Sequence, residues 1–133
     1  MALSLIDKTN YGMAVEKIGT FTPSFTPDTD FDDTVLDVKQ VGNVVFVAGM
    51  LRTESTWGGS PVDVGTISGV DAPKTDGTCA FPVVTCDDPT NLHIGFMEIY
   101  EDGGDIVVKA RLEGDSEGAS DTMMMVNGFY FTA

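Results

Sequence analysis

The feature that most constrains this chain is the apolar stretch from Val38 to Leu51, interrupted by the pair Gly42-Asn43. Glycine at the first central position of a two-residue loop suits a type II′ turn, whose twist matches that of paired antiparallel strands. A β-hairpin is expected here. Its second arm has an unusual pattern. Val45, Val47 and Leu51 fall on one face, and Val44, Phe46, Ala48 and Met50 fall on the other. A strand with one face in water alternates apolar and polar residues. An arm that is apolar on both faces needs cover on both, from a second layer of the same chain or from a neighbouring subunit.

The rest of the chain repeats the strand signal. Met123 to Phe131 carries Met123, Met125, Phe129 and Phe131 on one face and Met124, Val126 and Tyr130 on the other. Leu92 to Tyr100 places Leu92, Ile94, Phe96 and Tyr100 opposite His93, Met97 and Ile99. The run Glu101 to Asp105 is a hairpin turn. It leads into Ile106 to Arg111, with Ile106, Val108 and Ala110 inward and Lys109 and Arg111 outward. Val62 to Ser68 reads as a short alternating strand, which puts Val64 and Ile67 on opposite faces. Cys79 to Cys86 and Gly19 to Pro27 read as edge strands, because Pro82, Pro23 and Pro27 cannot donate ladder hydrogen bonds. Leu3 to Ile18 fits no period clearly. Asp28 to Asp33 begins like a calcium loop, but Asp33 and Lys39 stand where that loop needs Gly and Glu, so a solvated turn is expected.

Seven or eight strands at intervals of roughly ten residues, with no long helix, predict an all-β fold, a single antiparallel β-sandwich. We expect an extended N-terminal arm over 1–33 and the β-sandwich domain over 34–133. A chain of 133 residues suits one domain and buries enough surface for a core without metal or disulfide.

Charge narrows the function. Twenty-one acidic against seven basic residues give a net charge of −14. Nucleic acid is not an expected partner, since its backbone needs a basic track. Membrane insertion is not expected either, since no apolar run approaches the ~20 residues of a span. Met1 to Lys8 lacks the basic-then-apolar pattern of a secretory signal. Cys79 and Cys86 would lie ~23 Å apart in an extended strand and would not pair unless the chain turns at Pro82. With one histidine besides, no zinc site of usual ligands is expected, and no other metal or cofactor. His93 reads as a packed strand residue. Neither a Gly-x-Ser-x-Gly elbow nor a phosphate-cradling glycine loop is present, so no catalysis and no catalytic residues are expected.

The order of turns and strands resembles that of head domains in bacteriophage tail-fibre, baseplate and receptor-binding proteins. The resemblance rests on Val38–Gly49, Gly65-Thr66-Ile67-Ser68-Gly69, Pro73, Phe81-Pro82-Val83, Asp102-Gly103, Ile106-Val107-Val108 and Asn127–Thr132. It covers roughly Thr34 to Ala133. It implies a jelly-roll-like β-sandwich, a homotrimer, a place in the virion after assembly in the host cytoplasm, and partners among other virion proteins and host-surface saccharides. Two rival readings stay open: a purely structural or decorating virion protein without ligand, and a non-viral carbohydrate-binding module.

Sugar recognition needs an aromatic ring to stack on and polar groups to bond hydroxyls. Trp57, the only tryptophan, lies in a glycine-rich loop and is the leading candidate, with Arg52 and Glu54 beside it. Asp87, Asp88 and Asn91 form the second candidate group.

Overall fold

The computed structural model describes residues 21–53, 58–74, 79–85, 94–113 and 122–132. Eight strands cross it: β1 (Ser24–Pro27), β2 (Val35–Val41), β3 (Val44–Thr53), β4 (Val62–Ser68), β5 (Cys79–Thr85), β6 (Ile94–Asp102), β7 (Asp105–Leu112) and β8 (Thr122–Phe131). All pairings are antiparallel. The strands form one sheet in the order β1-β4-β7-β6-β5-β8-β3-β2. The sheet curls until its edges, β1 and β2, come side by side, so it is nearly closed. The all-β fold expected from the sequence is the fold observed. One continuous sheet supplies both layers, with β1-β4-β7-β6 as one wall and β5-β8-β3-β2 as the other.

The two tight hairpins lie where turn chemistry puts them. Val41 and Val44 pair across Gly42-Asn43, and Gly42 has φ +57°. Asp102 and Asp105 pair across Gly103-Gly104. The inner face of both walls meets in one core. Val45, Val47 and Leu51 of β3 pack there with Met97 and Ile99 of β6, Val108 and Leu112 of β7, and Met124 and Val126 of β8. Each such side chain contributes about 1.5–3 kcal/mol by leaving water.

Two expectations need correction. The first concerns β4, where Val64 and Ile67 are both buried although strict alternation would separate them. The register against β7 shifts between Asp63 and Gly65. One extra residue at a bulge turns the side-chain parity over. A Cβ at Gly65 would run into the Thr26 carbonyl and the Phe25 ring, so glycine here lets β1 lie close. The second concerns β5, which is internal, between β6 and β8. It pairs with β6 from Cys79 to Val84 but with β8 only from Val83 onward. Pro82 thus has a ladder on one side only, which is why an internal strand tolerates it. The strand runs extended through Pro82 without a turn.

Gly19 to Pro27, read as an edge segment, does hold an edge strand, β1. The acidic turn that follows forms one 3-10 turn, Thr29–Phe31, capped by Asp28 and anchored by buried Phe31. At the hairpin end of β2, residues 69–74 form a strap. Val70 and Ala72 pack on the core, and Pro73 bridges to Thr132. The side chain of buried Gln40 donates to the Gly42 carbonyl (2.8 Å) and to Asp71 Oδ2 (3.0 Å). It accepts from the Asp71 N–H at 2.8 Å, and the Tyr130 hydroxyl donates to the Asp71 carbonyl at 3.0 Å.

Candidate binding surfaces

The outer faces of the two walls differ in chemistry. The described residues leave eight large apolar side chains exposed: Val35, Val41, Phe46, Val84, Ile94, Met125, Phe129 and Phe131. All eight belong to β2, β3, β8, β5 and the first residue of β6; none belongs to β1, β4 or β7. The register aligns them. Val35, Met50, Met125, Val84 and Ile94 form one unbroken row across five strands. Further along, Phe46 pairs with Phe129 and Val44 with Phe131. The Phe129 ring is 6.2 Å from Phe46 and 5.6 Å, edge-on, from Phe131. Phe129 and Phe131 are more than half exposed, at 53% and 59%.

A shallow depression of about 410 Å³ runs along this wall between Val35, Ala48, Met50, Met125 and Asn127. Gly49 lies at its base with φ +146°, and a Cβ there would overlap the Val35 carbonyl. Among the described residues, charge on the wall is sparse and balanced, with Lys39 Nζ 3.7 Å from Asp37 Oδ2. At its border Arg111 stacks over the Phe96 ring at 5.5 Å and pairs with Glu98 at 3.4 Å. The doubly apolar arm thus has one face in the core and the other bare.

The opposite wall is polar. Outward residues of β4, β7 and β6 line up as Asp63, Lys109 and Glu98 in one row, and Thr66, Val107 and Tyr100 in the next. Asp28 from the start of the 3-10 turn and Asp102 from the β6–β7 hairpin close the rim. Together with Gly65 they enclose a depression of about 310 Å³. Lys109 Nζ is 3.4 Å from Asp63 Oδ1. It also lies 5.8 Å from the centre of the Tyr100 ring, near the outer limit for a cation–π contact. A hydrogen bond with the Tyr100 side chain, and then the Asp63 carboxylate, hold the Lys109 ammonium above the usual lysine value. The result is a shallow site with one aromatic ring, one cation, two hydroxyls and three carboxylates.

Of the residues singled out from the sequence, Trp57, Glu54, Asp87, Asp88 and Asn91 lie outside the described residues, as does His93. Arg52 is described, half-buried on β3. Its guanidinium is 3.5 Å from Asp33 Oδ2, and its backbone exchanges hydrogen bonds with the Thr34 hydroxyl. It thereby ties the segment after the 3-10 turn to β3. Sequence reasoning missed Tyr100, Asp63, Thr66, Asp102 and Lys109 as a group. No local spacing joins them, because β4 meets β7 through a non-sequential pairing. The available signal was the outward tyrosine two residues before an Asp-Gly turn.

Comparison of the chain with family models, with curated proteins and with solved structures returns no match.

Proposed function

We propose that this chain is a non-catalytic surface module of a phage-like virion, assembled as a homotrimer through its apolar wall and recognising a host-surface saccharide. The observation that carries the reading is that, among the described residues, all eight exposed large apolar side chains lie on β2, β3, β8, β5 and the first residue of β6, in adjoining register. Scattered apolar residues are normal on a monomer, but a contiguous patch marks an interaction site. Five strands at ~4.8 Å spacing, and the ~20 Å from Val44 to Met50, give the patch a footprint of about 400 Å². That is within the size range of functional patches.

The occupant best suited to it is another copy. A protein with net charge −14 is repelled by its own copies unless the meeting faces are neutral. Among the described residues this wall is close to neutral, because Asp37 and Lys39 offset each other. The polar wall then faces outward, where the depression around Tyr100 offers hydroxyl-bonding groups beside an aromatic ring.

Light scattering on a sizing column tests the assembly. We expect a mass near three times 14.1 kDa. Phe129→Asp, which sets a carboxylate in the middle of the wall, should return the protein to a single-chain mass with its fold retained by circular dichroism. A wild-type monomer refutes the assembled module and favours a stand-alone carbohydrate-binding module. A trimer that retains no saccharide on a glycan array leaves only the structural role.

A further inference from the structure

We infer that residues 1–20 of one copy lie across the aromatic end of the apolar wall of the next, so that an exchanged segment closes the assembly. The inference rests on the assembly reading above and names the part of the neighbouring copy that covers Val41, Val44, Phe46, Phe129 and Phe131. Those five residues lie toward the hairpin end of β2 and β3. The chain enters the sheet at the same end. Thr22 lies against Gly69 there, where a Cβ would overlap the Thr22 carbonyl. Gly69 opens the strap, and the strap ends on the aromatic strand. Pro73 bridges to Thr132, and the Lys74 N–H donates to the Phe131 carbonyl at 2.8 Å. From Gly69 to Pro73 the chain spans at most ~14 Å. The point of entry and the bare rings are therefore neighbours at one rim of the sheet.

Composition suits the segment to this face. Residues 1–20 carry Leu5, Ile6, Tyr11, Met13, Val15 and Ile18, and their two acidic and two basic residues cancel. The whole net charge of −14 thus falls on residues 21–133. A neutral segment meets less repulsion from a second copy than the rest of the chain does. Direction favours exchange over folding back. Burial alternates from Phe21 to Pro27, with Phe21, Pro23, Phe25 and Pro27 half-buried and Thr22, Ser24 and Thr26 exposed. Phe21 to Pro23 therefore keeps the phase and line of β1, and Pro23 favours an extended Thr22. Phe21 stands ~10 Å beyond the first residue of β1, so the chain meets the rim in line with β1 and does not come over its own wall. Twenty extended residues reach up to ~66 Å, against ~20 Å for the patch along its strands, so a neighbour's wall is within reach.

The test keeps the full chain and carries Phe131→p-benzoylphenylalanine, a photo-cross-linker at an exposed position. Irradiation should give adducts of two-chain mass or more on a denaturing gel, and mass spectrometry should join position 131 to residues 1–20. Leu5→Asp with Ile6→Asp, also in the full chain, withdraws two apolar side chains. It should raise the concentration of half-dissociation by about a hundredfold with the circular dichroism unchanged. Adducts of single-chain mass that join position 131 to residues 1–20 would put the segment on its own wall and overturn the exchange. Adducts between chains that join position 131 only to β3 or β8, with the Asp variant still assembled, would overturn it while the assembly stands. A wild type of single-chain mass that forms no adduct between chains would remove both.

Discussion

The strap at residues 69–74 gives the sharpest test of how the open end of the sheet is closed. Gln40 is buried and grips Asp71 through both the backbone N–H and the carboxylate, while holding the buried Gly42 carbonyl. Gln40→Leu keeps nearly the same volume and removes all three bonds. The stranded Gly42 carbonyl costs about 1–3 kcal/mol, and the two half-buried Asp71 bonds about 1 kcal/mol each. Greater apolarity of leucine offsets part of this, about 1 kcal/mol. The net loss should be about 2–4 kcal/mol. At about 3–5 °C per kcal/mol for a chain of this size, the melting temperature falls by about 10 °C. Tyr130→Phe removes one bond to the Asp71 carbonyl and should cost about 1 kcal/mol. Both side chains hold the same residue, so the double variant should lose about 0.5–1.5 kcal/mol less than the sum. Urea unfolding of the four proteins at one fixed concentration measures the cycle, since association would otherwise move the midpoints. Losses additive within 0.3 kcal/mol would refute the shared strap. A Gln40→Leu protein as stable as the wild type would refute the latch altogether.

Four further outcomes are expected. Gly49→Ala should cost more than about 2 kcal/mol by denaturant unfolding, because its Cβ has no room beside the Val35 carbonyl and its φ is left-handed. Thr132→Val should stabilise by about 1 kcal/mol in calorimetry, because among the described residues the Thr132 hydroxyl is buried without a hydrogen-bond partner. Lys109 has a folded-state value raised above its ordinary 10.5, so its stabilising contribution is complete below that pH and is lost as pH rises through the folded value. A side-chain NMR titration should therefore show Lys109 losing its proton at lower pH in Asp63→Asn than in the wild type. Mild peroxide should convert exposed Met125, beside Met50 in the apolar row, to a polar sulfoxide and shift the light-scattering mass toward a single chain.

What was legible in the sequence was what local chemistry specifies. Gly42-Asn43 and Gly103-Gly104 carry their turns within themselves, and the inward sets of β3, β6, β7 and β8 follow from period-two alternation. The two faces of β3 were legible too, although not which one the chain leaves bare. Non-local pairing escaped. Pro82 signals an edge when read alone, yet the late start of the β8 ladder at Val83 lets β5 sit inside the sheet. The bulge at Asp63 to Gly65 escaped for the same reason. Beside it, Phe25 and Thr26 close on Gly65 from a strand some forty residues away. The polar depression was invisible because its groups come from three strands and a turn, joined only by the β4–β7–β6 order.

The division of labour between the walls follows from how the sheet closes. A curled sheet has one inner face, and the inner faces of all its strands are spent on one core. Each strand therefore has a single outer face left for anything else. Along β2, β3, β8 and β5 that face is apolar without any fold-level need, since the core beneath is already complete with Val45, Val47, Leu51, Met124 and Val126. Bare apolar rows on long strands carry an aggregation hazard. Their register across five strands makes sense if a matching surface covers them. The polar wall shows the opposite choice, with acid–lysine rows over an equally complete core. Sequence on the outer faces is thus free of the core's packing, and under the proposed assembly that is where variants should separate assembly from stability. Phe129→Asp should change mass with little change in the unfolding free energy of the single chain, whereas Leu51→Ala, on the inner face of the same strand pair, should cost about 3–4 kcal/mol at any concentration.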